Sequence, residues 1–75
     1  MIRRIPLTAT DVERVFRKTR LELVHQRGIH RFWGSPIDNN VLTTVPYHDG
    51  PLPHSLIASI VKDVGLTETR FRGLL

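Results

Sequence analysis

The chain contains no cysteine, and its 75 residues include only one tryptophan and one tyrosine. Without thiols, neither a disulfide framework nor a thiolate metal site can form. No segment approaches the roughly 20 consecutive apolar residues that a transmembrane helix needs. Arg3 and Arg4 resemble the positive start of a signal peptide, but Pro6 and Asp11 interrupt the apolar run that should follow. We therefore expect a cytoplasmic protein.

The chain is short and basic. Residues 1–75 can form a single small domain with a modest hydrophobic core. The formal net charge is +4, and the basic residues concentrate in the first half: Arg3, Arg4, Arg14, Arg17, Lys18, Arg20, Arg27 and Arg31. This clustering favours binding to a polyanion or to an acidic protein, although a charge of this size also serves solubility alone.

The start of the chain predicts a tail or an entry segment at residues 1–9, followed by a helix at residues 10–19. Thr10 and Glu13 have the spacing of a capping box, with Thr10 as the N-cap. Glu13 also lies one helical turn before Arg17 and is placed to pair with it. One helical stripe is apolar and should face the core: Val12, Val15 and Phe16.

Three strands are expected next, at residues 21–27, 29–33 and 41–45. Gly28 separates the first two as a hairpin turn or a bulge. A dense cluster of turn residues at 34–40 precedes the third strand. Because these connections are short, the three strands should form an antiparallel sheet.

Apolar residues at helical spacing predict a second helix that includes Leu56 and Val64 and ends near Gly65. Thr67 and Glu68 can begin a short last turn. The expected order is α-β-β-β-α with a small terminal appendage, which is an α+β fold. Because a three-stranded sheet cannot form a core alone, the two helices should cover one of its faces.

The segment at residues 27–33 carries the most informative motif. His30 follows Gly28 and lies between two arginines, Arg27 and Arg31. A ribonuclease needs a base for the ribose 2′-OH and positive groups for the phosphate, but no metal, because RNA carries its own nucleophile. His30 is therefore the candidate catalytic residue, with Arg27 and Arg31 as phosphate contacts. Gly28 would let the backbone approach the substrate closely.

Strand alternation leaves His30 and Trp33 with two interpretations each. Alternation places His30 on the face of Phe32 and opposite Trp33. If Phe32 is in the core, His30 is a buried, hydrogen-bonded histidine; a bulge after Gly28 would instead turn it outward. Trp33 either stacks on an unpaired RNA base or packs in the core or at a protein interface.

Three further residues are candidates for the site. Lys18 and Arg20 extend the expected RNA-binding surface, and His48 is a possible second proton-transfer group in a loop. The four histidines do not have the spacing of a metal site, and neither cysteine nor paired acids accompany them. We therefore expect no metal and no cofactor.

Four motifs occur in a recognisable order along the chain: Gly28-x-His30, Phe32-Trp33, Thr44-Val45-Pro46-Tyr47-His48-x-Gly50 and Asp63-Val64-Gly65-Leu66-Thr67. Their combination resembles the HicA mRNA interferase toxins, the toxin halves of bacterial HicA–HicB toxin–antitoxin pairs. The resemblance extends from residue 10 to residue 75.

The resemblance implies a fold like that of the double-stranded-RNA-binding domain. It also implies an endoribonuclease that cleaves messenger RNA without a metal and uses a single catalytic histidine, which matches His30. A HicB-like antitoxin is implied as the protein partner that covers the catalytic face. The toxin is then expected to be a monomer when free and part of a hetero-oligomer with its antitoxin.

The chain departs from the family pattern at two places. Ile29 stands where family members usually have serine, and residues 51–53 read Pro-Leu-Pro where members commonly carry Lys-Glu-Leu-Lys. These departures motivate an alternative, a non-catalytic RNA-binding module of the same fold. A third interpretation is an interaction role, in which the basic face and Trp33 meet an acidic partner.

Overall fold

The computed structural model describes residues 6–75. Its elements follow the order α1 (Ala9–Lys18), β1 (Glu22–Arg27), β2 (His30–Gly34), β3 (Val41–Pro46), α2 (His54–Asp63) and α3 (Glu68–Gly73). The strands form one antiparallel sheet in the order β1-β2-β3. The expected α+β class and α-β-β-β-α order are confirmed, and α3 is the predicted terminal turn.

The start of α1 differs from the prediction by two residues at its N-cap. Thr8 is the N-cap, since its hydroxyl accepts a hydrogen bond from the Asp11 backbone N–H at 3.3 Å. The Asp11 carboxylate in turn accepts one from the Thr8 backbone N–H at 3.0 Å. The predicted capping box of Thr10 and Glu13 is therefore wrong. Both pairs have the same spacing, but Glu13 is buried in the core and its carboxylate binds elsewhere.

The residues just before α1 belong to the fold. Leu7 is buried, and its carbonyl accepts a hydrogen bond of 2.7 Å from the Leu52 backbone N–H. Thr8 pairs with Pro51 in an isolated antiparallel bridge. Of the two alternatives for this segment, a tail is thus wrong for residues 7–9, which attach the start of α1 to the segment preceding α2. The rest of that prediction, with Arg3 and Arg4, falls on residues 1–5, outside the described residues.

Cross-strand pairing defines two faces of the sheet. The helix face carries the rows Leu23–Trp33–Thr43 and Gln26–Arg31–Val45. The open face carries the rows His25–Phe32–Thr44 and Arg27–His30–Pro46. A bulge at Val24 shifts the register of β1 by one residue, so that His25 and Arg27 come to the open face.

The core lies between the helix face and the helices. It consists of Leu7, Ala9, Val12, Val15, Phe16, Trp33, Val45, Leu52, Ile57, Ile60, Val61 and Phe71. This confirms the apolar stripe predicted for the first helix. Phe16 and Trp33 meet at its centre, with ring centroids 5.5 Å apart and planes tilted by 60°. Each large side chain buried in this way contributes about 1.5–3 kcal/mol.

A carboxylate, Glu13, lies inside this core with only 2% of its surface exposed. Its Oε2 accepts a hydrogen bond from Trp33 Nε1 at 2.7 Å and forms an ion pair with Arg31 Nε at 2.7 Å. The predicted pair between Glu13 and Arg17 is therefore wrong. The Arg17 guanidinium instead lies over the Trp33 ring, 5.5 Å from its centroid, because α1 turns Glu13 inward and Arg17 outward.

The capping geometry predicts different effects for two neighbouring threonines. Thr8→Ala should lower the free energy of unfolding by about 0.5–2 kcal/mol, because it removes the N-cap oxygen. Thr10→Ala should leave it unchanged or slightly higher, since Thr10 is exposed in the first turn of α1. Urea denaturation of both variants checks this. A larger loss for Thr10→Ala would contradict the observed N-cap.

Candidate active site

The site begins at the tight hairpin between β1 and β2. Gly28 and Ile29 form its two-residue turn, closed by the pair Arg27–His30. Gly28 has a φ of 59°, the sign that the first central residue of a type II′ turn requires. A Cβ atom at Gly28 would meet no other atom within 4 Å, so a ligand can come close to the backbone here.

His30 is exposed on the open face, at the end of the sheet. The interpretation of His30 as a buried core histidine is therefore wrong, because its neighbour on that face, Phe32, is outside the core. Phe32 is half-buried and stacks on His25, with ring centroids 5.6 Å apart and planes 29° apart. Arg27 lies directly across from His30 and is exposed. Paired residues of antiparallel strands have Cα atoms about 4.5–5.5 Å apart, so both side chains can reach one phosphate.

Trp33 and Arg31 occupy the opposite face. Trp33 is 2% exposed and hydrogen-bonded to Glu13, so its predicted stacking on an RNA base is wrong. The Arg31 side chain is 17% exposed and paired with Glu13. Because neighbouring strand residues point to opposite faces, Arg31 is directed away from His30. The expectation that Arg31 joins Arg27 beside His30 is therefore wrong.

Lys18 and Arg20 lie at the other end of the sheet. Both precede β1, whose six residues extend about 17–20 Å from there to the hairpin. Lys18 Nζ donates a hydrogen bond of 2.8 Å to the carbonyl of Leu74, just after α3. Arg20 is exposed, with a φ of 66° in the turn after α1. The structure does not bring either residue together with His30.

Tyr47 extends the pairing of β2 and β3 beyond Pro46. Its backbone N–H donates a hydrogen bond of 2.6 Å to the carbonyl of Ile29, beside His30. The Arg31 guanidinium lies over the Tyr47 ring, 4.5 Å from its centroid. Sequence reasoning missed Tyr47 as a site residue, although it stands within the Val-Pro-Tyr-His run. It places the following residue, His48, directly after the strand end that carries the site.

His48 is exposed, with Nδ1 2.9 Å from the carbonyl oxygen of Asp49. Since a carbonyl only accepts hydrogen bonds, this contact is a hydrogen bond in the tautomer that carries the hydrogen on Nδ1, and that tautomer leaves Nε2 open for proton transfer. Within residues 6–75, no group of three or more histidine, cysteine or acidic side chains is placed to hold a metal ion. No helix in the described part of the chain is long and apolar enough to cross a membrane.

The fold and the site define a small α+β protein with a histidine–arginine pair at the exposed end of its sheet. A family model described as the HicA toxin of bacterial toxin-antitoxin matches residues 9–66. The match covers α1, the sheet, both candidate histidines and α2. The chain therefore belongs to the HicA toxin family. A comparison with curated proteins found no match.

Arg27 and Arg31, which flank His30 in the sequence, should differ in their effect on stability. Arg31→Ala should lower the free energy of unfolding by about 3–5 kcal/mol, because it leaves the buried Glu13 carboxylate without its charged partner. Arg27→Ala should change it by less than about 0.5 kcal/mol, since Arg27 is exposed. Urea denaturation of both variants provides the measurement. Equal stabilities would show that the Glu13–Arg31 pair is absent in solution.

Proposed function

We propose that this protein is the toxin of a toxin–antitoxin pair and acts as an endoribonuclease that cleaves messenger RNA without a metal. The observation that carries the proposal is the exposed pair of His30 and Arg27 at the hairpin end of the sheet. Membership of the HicA toxin family supports it. The site combines a proton-transfer group with a fixed positive charge, which are the two groups that cleavage by the RNA's own 2′-OH needs.

In the proposed reaction, His30 takes the proton from a ribose 2′-OH. The 2′ oxygen then forms a bond to the adjacent phosphorus, and the bond from phosphorus to the 5′ oxygen breaks. The leaving 5′ oxygen receives a proton from Nε2 of His48 in its imidazolium form, which becomes neutral, or from water. Arg27 stabilises the negative charge that builds on the phosphate oxygens. The products are a 2′,3′-cyclic phosphate and a 5′-hydroxyl end.

The proposed substrate is single-stranded. The attacking oxygen, the phosphorus and the leaving oxygen must align, which an unpaired chain can do and a regular duplex resists. Beside His30, the rings of His25 and Phe32 place an aromatic surface on the open face. Unpaired bases stack on such surfaces without regard to sequence. This pair replaces Trp33 as the proposed stacking surface.

A HicB-like antitoxin is the proposed protein partner. It would cover the open face and so keep RNA from His30, and an acidic segment would complement Arg27 and the net charge of +4. The cytoplasm, where messenger RNA is available, is the proposed location. We expect the free toxin to be a monomer and the inhibited form to be a hetero-oligomer.

Cleavage of an unstructured RNA in the presence of EDTA tests the assignment of His30. The wild type should produce fragments ending in cyclic phosphate, and His30→Ala should lose activity by at least about 100-fold while remaining folded. His54→Gln is the matched control, because His54 lies on α2 and pairs with Glu68 of α3. Full activity in His30→Ala, or a complete block by EDTA, would refute the assignment.

A non-catalytic RNA-binding module is the second candidate function. It is favoured by Ile29, an apolar side chain that is 50% exposed at the hairpin turn, where the family usually has serine. This candidate predicts salt-sensitive binding of RNA by the wild type with no fragments. Appearance of cleavage in Ile29→Ser alone would show that this substitution removed the activity.

The salt dependence of RNA binding tests Arg27 separately from catalysis. In a His30→Ala background, Arg27→Ala should weaken binding and reduce the slope of log K against log[salt] by about 0.7, the value for one phosphate contact on a single strand. Arg20→Ala should leave the slope unchanged, since Arg20 lies at the far end of the sheet. Fluorescence anisotropy with a labelled oligoribonucleotide measures both. Equal slopes for the two variants would exclude Arg27 as a phosphate contact.

A further inference from the structure

Both chain neighbours of His30 contact Tyr47. The Ile29 carbonyl accepts the Tyr47 backbone N–H at 2.6 Å, and the Arg31 guanidinium covers the Tyr47 ring at 4.5 Å. Tyr47 is therefore held at two points, through its main chain and through its ring. His48 follows immediately in the chain, in a loop that contains Gly50 at a φ of 91°. The contacts of Ile29 and Arg31 with Tyr47 therefore attach the chain to the sheet directly before this loop.

Arg31 is itself held from inside the core. Its Nε lies 2.7 Å from Glu13 Oε2, the same oxygen that accepts the hydrogen bond from Trp33. Glu13 is 2% exposed, and its place on α1 is set by the buried residues around it, Val12 and Phe16. The ion pair holds the Arg31 side chain on the helix face, where its guanidinium lies over the Tyr47 ring.

We propose that Glu13, Arg31 and Tyr47 form a positioning chain that sets the place of His48 relative to His30. This positioning chain extends from the buried side of α1, through Arg31 on the helix face, to the end of β3. Glu13 is buried and Arg31 lies on the helix face, opposite His30, so these two act through the residues they hold. The inference rests on the proposed function, in which His30 and His48 transfer protons, since such groups work only within narrow limits of distance.

Two substitutions separate positioning from a general contribution to stability. Arg31→Lys keeps a positive charge for Glu13 but loses the flat guanidinium over the Tyr47 ring. Trp33→Phe is the matched control, because it removes the other bond to Glu13 and leaves Tyr47 untouched. Both perturb the same buried carboxylate, so a purely structural network should respond in the same way to each.

Amide hydrogen exchange of the free protein tests the positioning chain without any RNA. In Arg31→Lys, the Tyr47 amide should exchange about tenfold faster, because its hydrogen bond to Ile29 opens more often. The amide of Val45, two residues earlier in β3, should exchange as in the wild type. Trp33→Phe should leave the Tyr47 amide protected. Equal protection of Tyr47 in Arg31→Lys and the wild type would overturn the inference, whether or not the protein cleaves RNA.

Steady-state kinetics then test the consequence for the reaction. Arg31→Lys should lower kcat about tenfold with KM unchanged, since misplaced proton-transfer groups slow the reaction without weakening RNA binding. Trp33→Phe should retain kcat. A raised KM with normal kcat in Arg31→Lys would make Arg31 an RNA contact and would overturn the inference. A normal kcat in a variant whose Tyr47 amide has lost protection would also overturn the inference. A wild type without cleavage would refute the proposed function, while hydrogen exchange would still decide whether Arg31 holds Tyr47.

Discussion

The burial of the Glu13 carboxylate is the constraint on which the orientation of β2 depends. A carboxylate in an apolar core is tolerated only with a positive or hydrogen-bonding partner. Arg31 and Trp33 are two residues apart on one strand, and both reach the same oxygen of Glu13. This requirement and the burial of the Trp33 ring select the same face of β2. A shift of one residue would expose Trp33 and bury His30.

The candidate site lies on the face of β2 opposite Arg31 and Trp33. Because Arg31 and Trp33 are committed to Glu13, His30 and Phe32 face the solvent, with Arg27 and His25 across from them. The site is a small, exposed set of side chains at the end of a sheet. Such a site suits a substrate that carries its own nucleophile and supplies much of the geometry itself. It also leaves a broad face that a protein partner can cover.

The order and type of the elements were predictable, because each depends on local patterns. The apolar spacing predicted the two longer helices, and turn residues at Gly28 and at 34–40 predicted the ends of the strands. The predicted boundaries lie within a few residues of those observed. The start of α1 was not predictable from spacing alone. Thr8–Asp11 and Thr10–Glu13 both have the spacing of a capping box. The choice between them depends on the burial of Glu13 against Arg31 and Trp33, which lie far along the chain.

The sequence by itself determined which residues could do chemistry: a histidine after a glycine, two arginines beside it and a second histidine after the third strand. It also determined that one face of the sheet would be covered, since three strands cannot form a core alone. Only the tertiary structure decided which face that is. The packing of α1 against β2 directs Arg31 and Trp33 toward Glu13. Arg27 then lies beside His30 on the open face, and Lys18 and Arg20 lie at the far end of the sheet. Neighbouring strand residues point in opposite directions, so the choice of face assigns every side chain of β2 either to the core or to the site.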